Sequence, residues 1–280
     1  MQTKLKPLPL LFFFILLGLS ADSQYYFNDI LAQQAASKQH QALKVNNVRR
    51  VTATSFESDN QAAENFSLTQ EINEDASQII TKSNLPESGI SITTSNYRGN
   101  RIIKTDDSSA RVRSTITYAY DAAGRISTIR TFTKDAFMGS VSEETHYWVY
   151  KENGLPSYML RVKDKSDTTR IEFSYDEKGL VADETWKKKN AAIEHYYYYY
   201  DDAGHLTDIV RFNSKVKKML PDFLYEYDAE GRISRSTQVP ANSSNYIVWT
   251  YSYNTKGLKQ QEVATNKAKQ LVGRIEYKYQ

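Results

Sequence analysis

A phrase of the form Tyr-x-Tyr-Asp-x-x-Gly, followed by arginine or an aliphatic residue, recurs along most of the chain with its glycines at Gly124, Gly154, Gly179, Gly204, Gly231 and Gly257. The intervals run from 25 to 30 residues, and Gly99 stands 25 residues before the first. A period of that length means one supersecondary unit copied and stacked, so each unit buries its apolar face against its neighbours.

Aligning the units on their glycines exposes columns. Four residues before each glycine stand Tyr120, Tyr150, Tyr175, Tyr200, Tyr227 and Tyr253, without exception. Six before stand Tyr118, Trp148, Phe173, Tyr198, Tyr225 and Tyr251, and eight before stand Ile116, His146, Ile171, Tyr196, Phe223 and Trp249. Residues two apart on a strand share a face, so the three columns form one aromatic face. The 21 tyrosines of the chain suit this, because the ring packs while the hydroxyl reaches a polar partner.

The turn chemistry follows from the remaining letters. Asp121, Asp176, Asp201 and Asp228, with Lys151 and Asn254 as substitutes, occupy the first position of a type I turn, and glycine takes the left-handed position that closes it. The result is a three-residue hairpin loop with a glycine bulge. This register sets Asp121 against Arg125, Asp228 against Arg232 and Asp201 against His205, and it sets Tyr120 opposite Ile126, Tyr175 opposite Val181, Tyr200 opposite Leu206 and Tyr227 opposite Ile233. A lone hairpin is marginal in water. The hairpins must therefore stack, and their aromatic face must be covered by curling of the sheet or by a helix.

Residues 1–23 have the layout of a secretory signal peptide: Lys4 and Lys6, an apolar run from Leu10 to Leu19, then small residues ending at Ser23. The run is too short to cross a bilayer as a helix. The mature chain is expected to be exported, to the periplasm or outside the cell, with no membrane span. Residues 24–89 read as one amphipathic helix (25–44, with Phe27, Ile30, Leu31 and Ala35 as its stripe) and irregular capping strands, and residues 90–280 as the hairpin repeat domain. The formal net charge of +3 is too balanced for a nucleic-acid or membrane-surface binder, and the absence of cysteine leaves no disulfide framework and no thiol for lipid or zinc.

The phrases YAYDAAGRI (118–126), FSYDEKGLV (173–181), YYYDDAGHL (198–206) and YEYDAEGRI (225–233) resemble the YD repeat of Rhs and teneurin-like proteins. YSYNTKGLK (251–259) is a near match, and YWVYKENGL (147–155) departs at Lys151. The chain is also similar to short exported proteins of Bacteroidetes-type bacteria that carry such an array after a signal peptide and helix. The resemblance implies a β-hairpin fold and an exported compartment. In the large Rhs-like proteins the repeats enclose a toxic carboxy-terminal cargo; here the strand-like RIEYKYQ (274–280) is the last segment, and no cargo is expected.

His40, His146, His195 and His205 have no metal-ligand spacing, with His146 and His195 on opposite faces, so no metal or cofactor is expected. Glu172 and Glu184 stand at offsets that would face each other on the side away from the aromatics. That is the one candidate acid pair for a glycan hydrolase. Tyr147, Tyr197 and Tyr199 have the opposite parity from the aromatic columns and are the candidate binding residues, able to stack on a sugar or anchor a protein. Tyr197 is expected to be the more exposed of the pair beside the turn. An outer-membrane barrel is disfavoured because the face away from the aromatics carries Ser127, Ser157, Thr207, Glu226, Ser234 and Ser252. The expected protein is all-β: an antiparallel β-hairpin array forming a curved, spiralling or barrel-like sheet after one helix. Its expected role is a non-catalytic scaffold or binding module for a protein or glycan at the cell surface.

Overall fold

The computed structural model describes residues 25–85, 89–109, 111–213, 216–240 and 245–280; the expected signal peptide lies outside them. Among the described residues a single helix, α1 (Asn28–Val45), precedes strands β1 (Arg50–Glu57), β2 (Ser67–Ile72), β3 (Gln78–Leu85), β4 (Gly89–Arg98), β5 (Arg101–Ser109) and β6 (Val112–Tyr120). Next come β7 (Ile126–Asp135), β8 (Val141–Tyr150), β9 (Pro156–Lys163), β10 (Asp167–Tyr175), β11 (Val181–Lys188) and β12 (Ala191–Tyr200). The chain finishes with β13 (Leu206–Asn213), β14 (Lys218–Tyr227), β15 (Ile233–Gln238), β16 (Ile247–Tyr253), β17 (Lys259–Asn266) and β18 (Leu271–Tyr279). Each strand pairs antiparallel with its neighbours in sequence, and β18 pairs back onto β1, from Val51↔Tyr279 to Glu57↔Gly273. The sheet is a closed 18-stranded barrel, which leaves no edge to template association. Of the layouts open to the sequence, the closed roll is the one adopted. No helix among the described residues is long and apolar enough to cross a membrane.

The glycine-marked turns all lie at one end of the barrel, and at each the glycine amide bonds the carbonyl three residues back, as in Gly204 N to Asp201 O at 3.0 Å. Gly204 has φ +83°, a conformation a β-branched residue resists. The turn carboxylate does further work: Asp121 accepts the Arg125 amide (2.9 Å) and Nε (2.7 Å), and Asp228 does the same for Arg232 (2.8 and 2.7 Å). The expected pairings of Tyr120 with Ile126, Tyr175 with Val181, Tyr200 with Leu206 and Tyr227 with Ile233 are present.

One step beyond those pairs the register differs from the expectation. Every one of these hairpins carries a bulge at the tyrosine beside the turn, for example between Ser174 and Tyr175 and between Tyr199 and Tyr200. The returning strand thereby skips one residue, and its remaining side chains change faces. The residue five after each glycine now points inward, opposite the middle aromatic column: Tyr118↔Ile129, Trp148↔Met159, Phe173↔Glu184, Tyr198↔Ile209 and Tyr251↔Glu262. Met159, Glu184 and Ile209 are 0% exposed.

The unvarying tyrosine column has a structural cause that its packing alone would not require. Five of the six hydroxyls reach the preceding hairpin and donate to the backbone carbonyl two residues after that hairpin's glycine: Tyr150 to Ile126 (2.8 Å), Tyr200 to Val181 (2.9 Å), Tyr227 to Leu206 (2.7 Å) and Tyr253 to Ile233 (2.8 Å), with Tyr175 bonding Pro156 in the same way; Tyr120 donates to Ile102 (2.6 Å), three residues after Gly99. The ring is held from outside by the residue after the same glycine, Arg125 over Tyr150 at 4.3 Å and Arg232 over Tyr253 at 4.4 Å. These ties join successive hairpins. They also place the tyrosines at the rim of the core, so that Tyr200, expected to be buried, is half-buried.

An 18-stranded ring with a strand spacing of ~4.8 Å and a tilt near 40° has a bore of roughly 35 Å, more than wall side chains can fill. The helix occupies it. At ~1.5 Å per residue α1 is about 27 Å long, and it lies inside the ring at the glycine-turn end. Tyr25 and Tyr26, just before its start, join the cluster of Ile116, Tyr118, Trp148, Phe173, Tyr196 and Phe223. Leu43, near its other end, packs with Val51, Leu68, Trp249 and Ile275. Its buried positions are Ala36, His40 and Leu43, whereas Ala35, expected on the stripe, is exposed. His40 donates from Nε2 to Ala76 O (2.6 Å) and stacks on Tyr97 at 4.0 Å.

Candidate functional site

The expected acid pair does not exist. The bulge after Tyr175 sets Glu172 opposite Thr185 and Glu184 opposite Phe173, so the two glutamates stand on opposite faces of the wall. Glu172 lies outside, bonded to Lys187 (2.6 Å) and Arg170 (3.0 Å), which hold its carboxyl below the usual range. Glu184 points into the barrel. It stands at the step occupied by Ile129, Met159 and Ile209 in three other hairpins and accepts the amides of Tyr26 and Phe27, each at 2.8 Å, and Trp186 Nε1 at 2.8 Å. The helix has no side-chain cap of its own at Phe27, so the carboxyl oxygens of a wall residue supply the acceptors that a helix start requires.

A second inward cluster pins the first turn of the helix. Asp29 accepts from His146 Nδ1 (2.7 Å) and Trp148 Nε1 (3.0 Å), His146 Nε2 reaches Glu144 (2.9 Å), and Glu144 is clamped by Arg161 (2.7 and 2.9 Å). Both ring nitrogens face carboxylates, an arrangement that suits the doubly donating imidazolium. Burial works against the proton on His146, but Asp29 and Glu144 outweigh it and raise the pKa to about 9. Burial likewise opposes the charge on Glu144, yet His146 and Arg161 bring it down to about 2. Glu184 is pushed up to about 7 by burial, partly offset by its three donors.

These shifts set a pH optimum. The stabilisation from Glu144 is present above its unfolded value near 4.5 and is lost as pH falls through the folded value. That from His146 is complete below about 6.5 and disappears as pH rises through about 9. Glu184, an acid whose folded pKa is raised, favours the folded state while protonated and destabilises it increasingly between pH 4.5 and 7. Thermal unfolding should therefore show its highest midpoint near pH 5–6. Raising the pH to 9.5 should cost on the order of 3 kcal/mol through His146. A His146→Gln variant should lose most of that alkaline slope; a slope of unchanged size would refute the assignment.

The outer wall carries the candidate binding tyrosines. Tyr199 is 51% and Tyr147 46% exposed, while Tyr197 is half-buried, the reverse of the order expected for the pair beside the turn. The reason is a neighbour on the same strand: His195 stacks on Tyr197 at 4.2 Å, and its Nδ1 lies 3.2 Å from the tyrosine hydroxyl. His195 Nε2 in turn contacts Asp183 (3.0 Å), which accepts from Ser174 Oγ. The helix lies on the other side of the wall and covers none of these tyrosines. A shallow groove of about 420 Å³ runs along β11 and β12, lined by Asp176, Lys178, Leu180, Asp183, Tyr197 and Tyr199. Tyr147, on β8, is four strands from β12, about 19 Å along the wall, and does not reach it. His205 stacks on Tyr227 at 4.6 Å beside its turn. No group of three or more His, Asp or Glu among the described residues could hold a metal ion.

No family model matches the chain, and no curated protein matches it. Among solved structures, a porin-like protein from Bacteroides uniformis aligns over 83% of this chain and 98% of its own, at 11% identity and a TM-score of 0.39. A porin-like protein from Bacteroides vulgatus covers the same shares at 11% identity and 0.30. The Photorhabdus luminescens Tc holotoxin pore aligns over 84% of this chain and 17% of its own, at 10% identity and 0.30. Scores of this size do not establish a common fold, and the barrel described above stands on its own strand pairings.

Proposed function

We propose that the chain is an exported, non-catalytic member of the YD-repeat class that binds a protein or glycan at the cell envelope or outside the cell, through the outer groove of β11 and β12. The observation that carries this reading is the division of labour across the wall. Inward side chains at the glycine-turn end are spent on packing and pinning α1, whereas Tyr197 and Tyr199 face outward in a groove with Lys178, Asp176 and Asp183. Aromatic rings beside carboxylates and a lysine match the apolar faces and hydroxyls of a sugar. Ion pairs along the outer wall, Arg130–Glu143 (3.0 Å), Arg235–Glu226 (3.1 Å) and Lys187–Glu172 (2.6 Å), support a barrel surrounded by water instead of lipid.

The test compares Tyr199→Ala and Tyr197→Ala with the parent for binding to purified envelope polysaccharides and for capture of envelope proteins. Each truncation should weaken binding by about tenfold or more, as for an exposed aromatic anchor, with the thermal midpoint of Tyr199→Ala within a few degrees of the parent. Undiminished binding by both variants would remove the groove from consideration.

A further inference from the structure

The two rims of the barrel differ in chemistry. The glycine-turn rim is built from Asp-Ala-Ala-Gly, Asp-Glu-Lys-Gly, Asp-Asp-Ala-Gly and similar polar turns. At the opposite rim, the turn between β7 and β8 exposes Phe137 (93%) and Met138 (75%), and the end of the β13–β14 hairpin exposes Phe212 (54%) and Met219 (42%). The first of these tips is held outward by its own backbone. Asp135 accepts the amides of Phe137 (2.8 Å) and Met138 (2.7 Å), and Gly139 closes the turn at φ +67°.

Between the two apolar tips lie basic ones. Lys165 and Lys189 are exposed on the two tips between, Lys134, Lys217 and Lys218 are exposed beside the apolar residues, and none of the five forms an ion pair with a described residue. The neighbouring acids are engaged: Asp135 by its turn and by Arg111 (3.8 Å), Asp164 by Ser142 and the Glu143 amide, Asp167 by Lys188 (2.5 Å), and Glu143 by Arg130 (3.0 Å). The modest net charge of the whole chain conceals this segregation. The described residues at the ends of four successive hairpins, from β7–β8 to β13–β14, form a row that runs apolar, basic, basic and apolar over about 29 Å, six strand spacings.

We infer that this arc of the rim docks on an anionic lipid surface, Phe137 and Met138 entering the headgroup layer at one end, Phe212 and Met219 at the other, and the lysines between them meeting lipid phosphates. A barrel's hairpin tips end near one plane, and a row of apolar and cationic tips fits a flat surface with a negative outer layer and an apolar interior. The protein remains peripheral, because the outer wall above the rim carries the ion pairs described. The inference goes beyond the groove reading and uses none of its residues.

The full chain should co-sediment with vesicles of phosphatidylcholine containing about one third phosphatidylglycerol, and much less with phosphatidylcholine alone, with affinity falling steeply in high salt. The double variants Phe137→Ser with Met138→Ser, and Lys165→Glu with Lys189→Glu, should each weaken anionic-vesicle binding about tenfold or more. Both should keep the parent's thermal midpoint, since the four side chains are exposed. All forms share the same amino-terminal residues, so the difference isolates the rim. Equal binding by parent and variants, equal binding to neutral vesicles, or capture of a protein by the rim without vesicle binding would each overturn the inference.

Discussion

Replacing Glu184 with alanine should lower stability by about 3–5 kcal/mol, because three buried donors lose their acceptor at about 1–3 kcal/mol each. The Tyr26 and Phe27 amides and Trp186 Nε1 would be left inside the barrel without their acceptor. The loss should be concentrated at the helix. Amide exchange over Tyr26–Leu31 should accelerate far more than exchange in β16–β18, and protease should cut within α1 at concentrations that leave the parent whole. Glu184→Leu, which restores the aliphatic character seen at Met159 and Ile209, should recover some packing but not the cap. Melting of the alanine variant within a degree of the parent would show that the carboxylate does not anchor the helix.

Tyr196→Ala should cost about 3–5 kcal/mol. Tyr196 is 1% exposed, lies 5.5 Å from Trp186 and 6.3 Å from Tyr25 between ring centroids, and carries Arg211 over its ring at 5.8 Å. Its removal opens a cavity where wall meets helix. Tyr200→Phe, by contrast, keeps the ring and deletes only the hydroxyl bond to Val181, and should cost about 1 kcal/mol. Urea denaturation of the two variants separates packing from tying: similar losses would mean that the rim tyrosines hold hairpins together by more than one hydrogen bond each.

The departures from expectation share one local cause. Counting alternate residues outward from the turn placed Glu184 on the outer face with Glu172, because alternation assumes one residue per pleat. The bulge breaks that assumption. A sign of it is present in the sequence: Ile129, Met159 and Ile209 recur five residues after their glycines, and the small residues Ser127, Ser157, Ala182, Thr207 and Ser234 recur at the step that is skipped. Read as columns, they place Glu184 among buried aliphatics, where a lone carboxylate demands donors. No comparable sign exists for the donors themselves, since Tyr26 and Phe27 lie more than 150 residues away. The exposure of Tyr199 over Tyr197 was equally hidden, because it rests on the rotamer of His195.

What the chain determines by itself is local: the hairpins, their type I turns with glycine in the left-handed position, the single helix, and the aromatic columns that share a face. Each follows from short-range sterics, hydrogen bonding and a two-residue pleat. What only the tertiary structure decided is closure, the place of the helix, and the hydroxyl ties. Closure depends on β18 meeting β1, more than 200 residues apart, and on the ring reaching eighteen strands. A ring of that size leaves a bore too wide for its own side chains, so burial of the aromatic face required α1 inside it. The bulge turns Glu184 inward, and that demand, by bringing the start of the helix against the wall, makes it the cap of a distant helix.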